Sequence, residues 1–162
     1  MKTLLVLRHA KSSWKDDSLA DHDRPLNKRG KQEAPIMGKL IRDMDLVPDL
    51  IFSSTAKRAR STVELVVEES GYEGDVVYSR ELYAADSEAT IKSLSELADE
   101  YDRVMVVGHN PGLEQLVEEL TGEYQPLSTA SLALVQLPIQ SWAELLGEDK
   151  GKLENIWRPK EL

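Results

Sequence analysis

Two of the three histidines in this 162-residue chain each follow a short, unbroken apolar run. Arg8 and His9 come directly after residues 4–7 (Leu-Leu-Val-Leu), and His109 comes two residues after the run 104–107 (Val-Met-Val-Val). Such runs are typical of parallel strands covered on both faces, and ligands in open α/β sheets bind beyond the carboxyl ends of these strands. The spacing therefore predicts that both histidines lie at one site.

The next strand along the chain adds a second arginine. Residues 50–52 (Leu-Ile-Phe) are predicted to form this strand, which ends in a serine-rich turn and leads into a helix with Arg58 in its first turn. Parallel strand order brings these ends to one edge of the sheet, where a helix N-terminus adds free amides and a favourable dipole. Because arginine donates paired hydrogen bonds to phosphate oxygens, the cluster suits a phosphoryl dianion held by Arg8, His9, Arg58 and His109.

One imidazole of this cluster can do more than bind. An unprotonated histidine nitrogen is a good nucleophile, and a covalent intermediate divides a difficult displacement into two easier ones. We therefore predict that His9, flanked by Arg8, attacks phosphorus. His109 would neutralise charge on the equatorial oxygens together with Arg8 and Arg58. This arrangement requires no metal ion and no other cofactor.

Composition narrows the classes of function. Acidic residues outnumber basic ones 29 to 20, which argues against general binding of nucleic acids or anionic membranes because both need a broad basic surface. An anion site must then be a local basic pocket. The absence of cysteine excludes disulfides, cysteine-based zinc sites and thiol catalysis.

Chain length predicts a single domain over residues 1–162, since a chain of this size removes roughly 68–70% of its unfolded surface from water. The apolar run near the N-terminus is too short for a signal peptide, and no stretch approaches the roughly 20 apolar residues needed to span a bilayer. These features predict a soluble cytoplasmic protein.

Apolar strands alternate with segments of helical period, the βαβ pattern typical of a parallel sheet. The first helix is predicted to begin after a cap at Asn27. Pro35 lies inside this helix and predicts either a kink or a later start, because proline removes a backbone hydrogen bond. The buried face of the helix is predicted to carry Ala34, Met37, Ile41 and Met44.

Later elements follow the same alternation. The second helix is predicted to end at Gly71, and Ser87 is predicted to cap the third. Pro111 opens a fourth helix that ends at Gly122, with proline first and glycine last as helix termini favour. A strand over residues 153–157 is predicted at an edge of the sheet. The inward face of the third helix is predicted to carry Ile91, Leu94 and Ala98.

Four motifs of the chain resemble those of the histidine phosphatase superfamily. They lie at residues 8–11 (Arg-His-Ala-Lys), 24–30 (Arg-Pro-Leu-Asn-Lys-Arg-Gly), 54–62 (Ser-Thr-Ala-Lys-Arg-Ala-Arg-Ser-Thr) and 108–112 (Gly-His-Asn-Pro-Gly). Alanine after the first histidine and the small size of the chain are similar to the SixA-type phosphohistidine phosphatase branch. Residues 157–160 resemble the ending of that branch.

The resemblance implies the phosphoglycerate mutase-like fold, a three-layer α/β/α sandwich with a mostly parallel sheet. It implies that His9 becomes phosphorylated and that Arg8, Arg58 and His109 complete the phosphate pocket. It also implies a partner: a phosphorylated protein substrate in phosphorelay-type signalling, such as a histidine phosphotransfer domain carrying phosphohistidine.

The proton donor of the superfamily has no counterpart at the matching position. In many members it is a glutamate, which by alignment of residues 82–85 would fall near Ala84. Glu81 and Asp86 lie close in sequence but match no motif, so neither is assigned a role. An alkoxide leaving group benefits greatly from a proton donor, whereas the imidazole of phosphohistidine can leave already protonated. The absence of a matching proton donor therefore favours a phosphoramidate substrate.

Three alternatives fit the same residues. A small phosphomonoester could replace phosphohistidine as the substrate. The cationic pocket could also serve a phosphate-recognition module that binds phosphorylated partners without turnover. A metal-dependent hydrolase could instead use His9, His22 and His109 with nearby aspartates, although metal-ligand spacing is absent elsewhere in the chain.

Several residues near the motifs have two interpretations. His22, between two aspartates, is predicted to be a polar loop residue in solvent rather than a metal ligand. Lys11 and Arg24 either fringe the pocket or are ordinary exposed charges, and neither is assigned. Trp14 either covers the mouth of the pocket or anchors its loop on the core. From its spacing alone, Arg58 is predicted to be an exposed residue on its helix.

Overall fold

A computed structural model describes residues 1–147 and 151–162 and contains a six-stranded sheet with helices on both faces. The strands are β1 (Lys2–Arg8), β2 (Leu50–Ser54), β3 (Val76–Ser79), β4 (Arg103–Gly108), β5 (Leu132–Leu137) and β6 (Lys152–Trp157). The helices are α1 (Lys28–Asp43), α2 (Lys57–Ser70), α3 (Ser87–Ser95) and α4 (Gly112–Thr121). Short 3-10 turns cover Asp21–Asp23, Arg80–Leu82, Trp142–Leu146 and Pro159–Glu161. The architecture is the three-layer sandwich that the resemblance implies.

The sheet has the strand order β3-β2-β4-β1-β5-β6. β3, β2, β4 and β1 pair in parallel, whereas β5 runs antiparallel to β1 and β6 runs antiparallel to β5. The prediction of a mostly parallel sheet is therefore confirmed, and β6 forms the predicted edge. Because the four parallel strands share one direction, their carboxyl ends meet at the same edge of the sheet.

Helical layers cover both faces of the sheet. Along β1, Leu5 and Leu7 belong to the core that contains α1 and α2, and Leu4 and Val6 belong to the core that contains α3 and α4. All four side chains are fully buried, as expected when successive side chains of a covered strand alternate between two layers. This alternation is the physical cause of the unbroken apolar run in the sequence.

α1 begins where the sequence predicts, after a cap at Asn27, whose Oδ1 accepts a hydrogen bond from Gly30 N at 2.9 Å. The helix continues through Pro35, so the alternative of a later start is wrong. Packing of the buried face against α2 outweighs the proline, which costs about 3 kcal/mol in a helix interior. Met44 is not part of that face, because it is the C-terminal cap and is 52% exposed.

The capping residue of α3 differs from the prediction. Asp86, not Ser87, occupies the cap position, and its Oδ1 accepts a hydrogen bond from Ala89 N at 2.8 Å. A carboxylate at this position also interacts favourably with the helix dipole. α3 ends at Ser95, so Ala98 lies beyond the helix.

Two glycines end their helices as predicted. Gly71 after α2 and Gly122 after α4 adopt left-handed conformations with φ of 74° and 76°, which glycine adopts without the steric cost that other residues incur. Pro111 directly precedes α4. Within residues 1–147 and 151–162, no helix is long and apolar enough to cross a membrane.

Gly30 allows the first turn of α1 to contact the backbone of Lys11. A Cβ atom at residue 30 would lie 2.2 Å from the Lys11 carbonyl oxygen. We expect Gly30→Ala to lower the free energy of unfolding by about 1–3 kcal/mol, although alanine normally favours a helix over glycine. Urea unfolding measures this, with the exposed Lys31→Ala as the control. A Gly30→Ala protein as stable as wild type would contradict the contact.

Candidate active site

His9 follows the last residue of β1 and is almost completely buried, with 6% of its surface exposed. Its backbone N donates a hydrogen bond to the Gly108 carbonyl at 3.1 Å, and its Nδ1 lies 2.7 Å from the Ala10 carbonyl oxygen. Because a carbonyl oxygen only accepts hydrogen bonds, Nδ1 carries the proton. The neutral ring therefore has its free lone pair on Nε2.

Thr62 of α2 fixes the turn after His9. Its buried hydroxyl accepts a hydrogen bond from Ala10 N at 2.9 Å and donates one to the Arg58 carbonyl at 2.7 Å. Sequence reasoning gave Thr62 no role, although its place in the motif at residues 54–62 was a signal. The hydroxyl connects the loop that carries His9 to the helix that carries Arg58.

His109 follows β4 and lies beside His9. The two ring centroids are 5.1 Å apart, with an angle of 50° between the ring planes. Nε2 of His109 is 2.8 Å from the hydroxyl of Ser54, the last residue of β2. Nδ1 is buried and has no hydrogen-bond partner among the described residues. The structure thus brings both histidines to one point, and Ser54, to which the sequence gave no role, orients one of them.

Both arginines lie near these histidines and are held by backbone carbonyl groups. Arg8 Nη1 donates to the Leu127 carbonyl at 3.0 Å, and its Nε is buried without a partner in the described part of the chain. Arg58 is only 9% exposed, and its Nη1 donates to the Asp21 carbonyl at 2.8 Å. Arg58 is therefore a buried residue beside the histidines rather than a surface charge.

Asp21 and Tyr83 form one wall of the site, and sequence reasoning missed both positions. Asp21 Oδ2 accepts a hydrogen bond from the Tyr83 hydroxyl at 2.5 Å and one from Arg58 Nη2 at 3.1 Å. These bonds lower the pKa of Asp21, and the bond to Asp21 raises the pKa of Tyr83. The Tyr83 ring also contacts His109 edge-to-face, with centroids 5.7 Å apart. This wall holds the Arg58 guanidinium in place.

His22 packs against the same wall rather than lying free in solvent. Its side chain is 28% exposed, its Nε2 is 2.8 Å from the Thr55 hydroxyl, and its ring contacts Tyr83 edge-to-face. This differs from the prediction because the loop before α1 folds back onto the turn after β2. Among the described residues, no three His, Asp or Glu side chains come close enough together to hold a metal ion.

The same loop places Trp14 over Arg24. The Arg24 guanidinium carbon is 3.9 Å from the Trp14 ring centroid, and Trp14 remains 64% exposed. Arg24 Nε lies 3.9 Å from Asp21 Oδ1. Trp14 therefore does not anchor the loop on the core, and it covers an arginine next to Asp21. Lys11 is exposed and borders a cleft together with Arg8.

The two carboxylates near Ala84 have local structural roles. Glu81 Oε2 accepts a hydrogen bond from the Ser93 hydroxyl of α3 at 3.3 Å, and Asp86 caps the same helix. Ala84 is exposed and lines a cleft of about 270 Å³ that also contains His109. Asp86 borders this cleft, but its carboxylate is bonded to the helix N-terminus.

Burial keeps both histidines of the site neutral. Burial, and then the charges of His109, Arg58 and Arg8, lower the pKa of His9 to about 3 against the opposing effect of the Ala10 carbonyl. Burial and then Arg58 lower the pKa of His109 to about 4. At neutral pH, Nε2 of His9 is therefore unprotonated, the state that nucleophilic attack requires.

The lowered pKa values predict that mild acid destabilises the folded protein. A free histidine has a pKa near 6.5, so below that pH the unfolded chain binds protons that folded His9 and His109 do not bind. Their stabilising contribution is complete above about pH 6.5 and is lost as the pH falls towards 3, on the order of 2 kcal/mol per histidine by pH 5. Urea unfolding at a series of pH values measures the slope. We expect a shallower slope for His109→Gln, and an unchanged slope would contradict the lowered pKa.

Removing the Thr62 hydroxyl tests the link between His9 and α2. Valine keeps the shape of the side chain but leaves the buried Ala10 N–H without its acceptor. We expect Thr62→Val to lower the free energy of unfolding by about 1–3 kcal/mol. Thr62→Ser keeps the hydroxyl and should cost about 1 kcal/mol for the lost methyl group. An unchanged free energy of unfolding in Thr62→Val would show that the hydrogen bond contributes nothing.

The fold and the sequence are both similar to those of known proteins. An uncharacterized chloroplastic protein of Arabidopsis thaliana is 35% identical over 170 residues, which cover 98% of this chain and 78% of the relative. The crystal structure of a candidate phosphohistidine phosphatase SixA from Agrobacterium tumefaciens has a TM-score of 0.84 and 32% identity, and the match covers 98% of each chain.

A second solved structure has the same fold at lower identity. The protein histidine phosphatase SixA complexed with tungstate has a TM-score of 0.85 and 23% identity, with 98% of each chain covered. Residues 4–83 match the family described as histidine phosphatase superfamily (branch 1). The resemblance carried by the four motifs is thereby confirmed, and the chain belongs to the histidine phosphatase superfamily.

Proposed function

We propose that this protein is a metal-independent phosphatase that works through a phosphohistidine intermediate on His9 and acts on phosphohistidine in proteins. Membership of the superfamily supports a phosphatase with a phosphorylated substrate. The observation that carries the proposal is the state of His9. Its Nδ1 proton is held by the Ala10 carbonyl, which leaves Nε2 as an unprotonated nucleophile near two arginines.

The reaction has two displacements at phosphorus. In the first, Nε2 of His9 attacks in line, a new N–P bond forms, and the bond from phosphorus to the leaving imidazole breaks. In the second, water attacks phospho-His9, which releases inorganic phosphate and regenerates the neutral ring. Arg8, Arg58 and His109 donate hydrogen bonds to the equatorial oxygens and stabilise their charge in both steps.

The substrate class is inferred from the leaving-group side of the pocket. The resemblance implies a glutamate near the position of Ala84, where this chain has no acid, and the nearby Glu81 and Asp86 are bonded to α3. The Tyr83 hydroxyl donates a hydrogen bond to Asp21, so it is already engaged. An imidazole leaving group that arrives protonated needs no acid here, whereas an alkoxide does. This favours phosphohistidine over an alkyl phosphate.

Phosphate release in the presence of a chelator tests the proposal directly. The substrates are a phosphorylated histidine phosphotransfer domain and, in parallel, a small alkyl phosphate. We expect multiple turnovers on phosphohistidine by wild type and a loss of at least about 1000-fold in His9→Gln, since the nucleophile is gone. Circular dichroism and urea unfolding check that the variant folds.

Each other outcome has a definite meaning. Turnover of the alkyl phosphate alone would identify a phosphomonoesterase and overturn the substrate class. Binding of the phosphorylated domain without turnover would identify a phosphate-recognition module. Full activity of His9→Gln would exclude the covalent mechanism, and loss of wild-type activity in chelator would exclude metal independence.

Introducing the missing acid should change the substrate preference. Ala84 is exposed beside the His109 cleft, so a longer side chain has room. We expect Ala84→Glu to raise kcat/KM for the alkyl phosphate by about 100-fold, because general acid catalysis contributes roughly that much or more. Phosphohistidine turnover should change little. Ala84→Gln, which has the same size but no acid, is the control, and an equal gain in both variants would contradict the explanation.

A further inference from the structure

A second cleft adjoins the phosphate pocket on the side of Arg8. Its volume is about 180 Å³, and its wall includes Arg8 and Lys11 from the end of β1, Arg29 and Glu33 from α1, and Lys160 from the C-terminal turn. Arg8 also lies close enough to His9 and His109 to lower the pKa of both. The cleft and the phosphate pocket therefore share one guanidinium.

The charge of this cleft is opposite to that of the whole protein. Among the described residues, four cationic side chains border it, and the only acidic residue of its wall is Glu33. One carboxylate oxygen of Glu33 lies 3.3 Å from Arg29 Nε, and the other is buried without a hydrogen-bond partner in the described part of the chain. Lys11 and Lys160 make no ion pair within residues 1–147 and 151–162. An excess of positive charge thus remains in a chain of net charge -9.

Backbone packing fixes the chain segments that carry Lys11 and Lys160. The Lys11 carbonyl accepts a hydrogen bond from Asn27 N at 2.9 Å, and Gly30 touches the same carbonyl, so the first turn of α1 is fixed beside Lys11. On the other side, Arg158 Nη2 donates to the Pro126 carbonyl at 2.9 Å and fixes the start of the turn that carries Lys160. The cluster is therefore a property of the fold and not of flexible side chains alone.

We propose that this cleft binds a carboxylate group of the substrate protein, close to its phosphohistidine. This inference rests on the proposed function and adds to it a preference for phosphohistidine in an acidic surface. Like charges held together repel one another, and a carboxylate relieves that repulsion. The remaining surface of this acidic protein repels an acidic partner, so the cleft determines the orientation in which such a partner approaches.

A pair of phosphohistidine peptides tests the preference. The peptides have equal length, and aspartates flank the phosphohistidine in one where asparagines flank it in the other. We expect wild type to prefer the acidic peptide by about tenfold in kcat/KM, the effect of two modest ion pairs. The double variant Lys11→Met/Lys160→Met should lose this preference and keep its kcat/KM on the neutral peptide. High salt should reduce the preference of wild type in the same way.

A second double variant controls for net charge. Lys39→Met/Lys92→Met removes two exposed lysines on α1 and α3 and should leave the preference unchanged. Equal kcat/KM of wild type on the two peptides, or an unchanged preference in Lys11→Met/Lys160→Met, would overturn the inference.

Binding of the unphosphorylated acidic peptide separates this inference from the proposed function. Fluorescence anisotropy with labelled peptide requires no turnover, and we expect about tenfold weaker binding by Lys11→Met/Lys160→Met than by wild type. Equal binding by the two proteins would overturn the carboxylate site even if phosphohistidine is hydrolysed. Weaker binding together with a failure to hydrolyse either peptide would support the site and reject the proposed activity.

Discussion

The parallel register between β1 and β4 is the constraint on which the site depends. Arg8 is paired with Gly108, and the backbone N of His9 donates to the Gly108 carbonyl at 3.1 Å. The residue that follows each strand is a histidine, so the register places the two rings side by side, with centroids 5.1 Å apart. A slip of one residue would turn the side chains of one strand to the opposite face and separate the pair. The core enforces the register because both faces of β1 are buried.

Two arginines lie at this edge of the sheet, and nearby acidic residues partly offset their charge. Asp21 holds Arg58, and the charge of Glu114 opposes the effect of burial on the pKa of Arg8. The charge of Asp21 opposes the lowering of the His109 pKa only in part, and both histidines are neutral because burial penalises their charged forms. A neutral His9 is the form that can attack phosphorus. The same burial lowers the stability of the folded protein in acid. Burial of the two histidines is therefore the cause both of the neutral His9 and of the acid sensitivity.

Sequence patterns predicted the site residues that lie at the ends of strands. They missed site residues that come from distant segments of the chain. Apolar runs and helix termini are local signals, so the sheet, the helices and the convergence of the two histidines follow from them. Asp21 contacts Arg58 across 37 positions of the chain, and Thr62 contacts Ala10 across 52. Neither hydrophobic periodicity nor the spacing of motifs predicts contacts between residues so far apart in the chain. The errors at Met44, Ser87 and Ala98 arose at helix ends. Asp86 caps α3 through a hydrogen bond from Ala89 N, and Met44 and Ala98 lie past the last residues of α1 and α3.

The clefts on the two sides of the proposed phosphate pocket, called its flanks here, differ in chemistry. One contains Arg8 and the other contains His109. On the Arg8 side, lysines and arginines border the cleft that Lys11 and Lys160 help to form. On the His109 side, the cleft beside Ala84 contains small and uncharged groups together with Asp86. In the proposed reaction, a phosphoryl group between the two flanks is bound by the same cationic side chains whatever its leaving group. Selection between substrates is then expected from the flanks, because we propose that one side attracts negative charge and that the other offers a leaving group no proton.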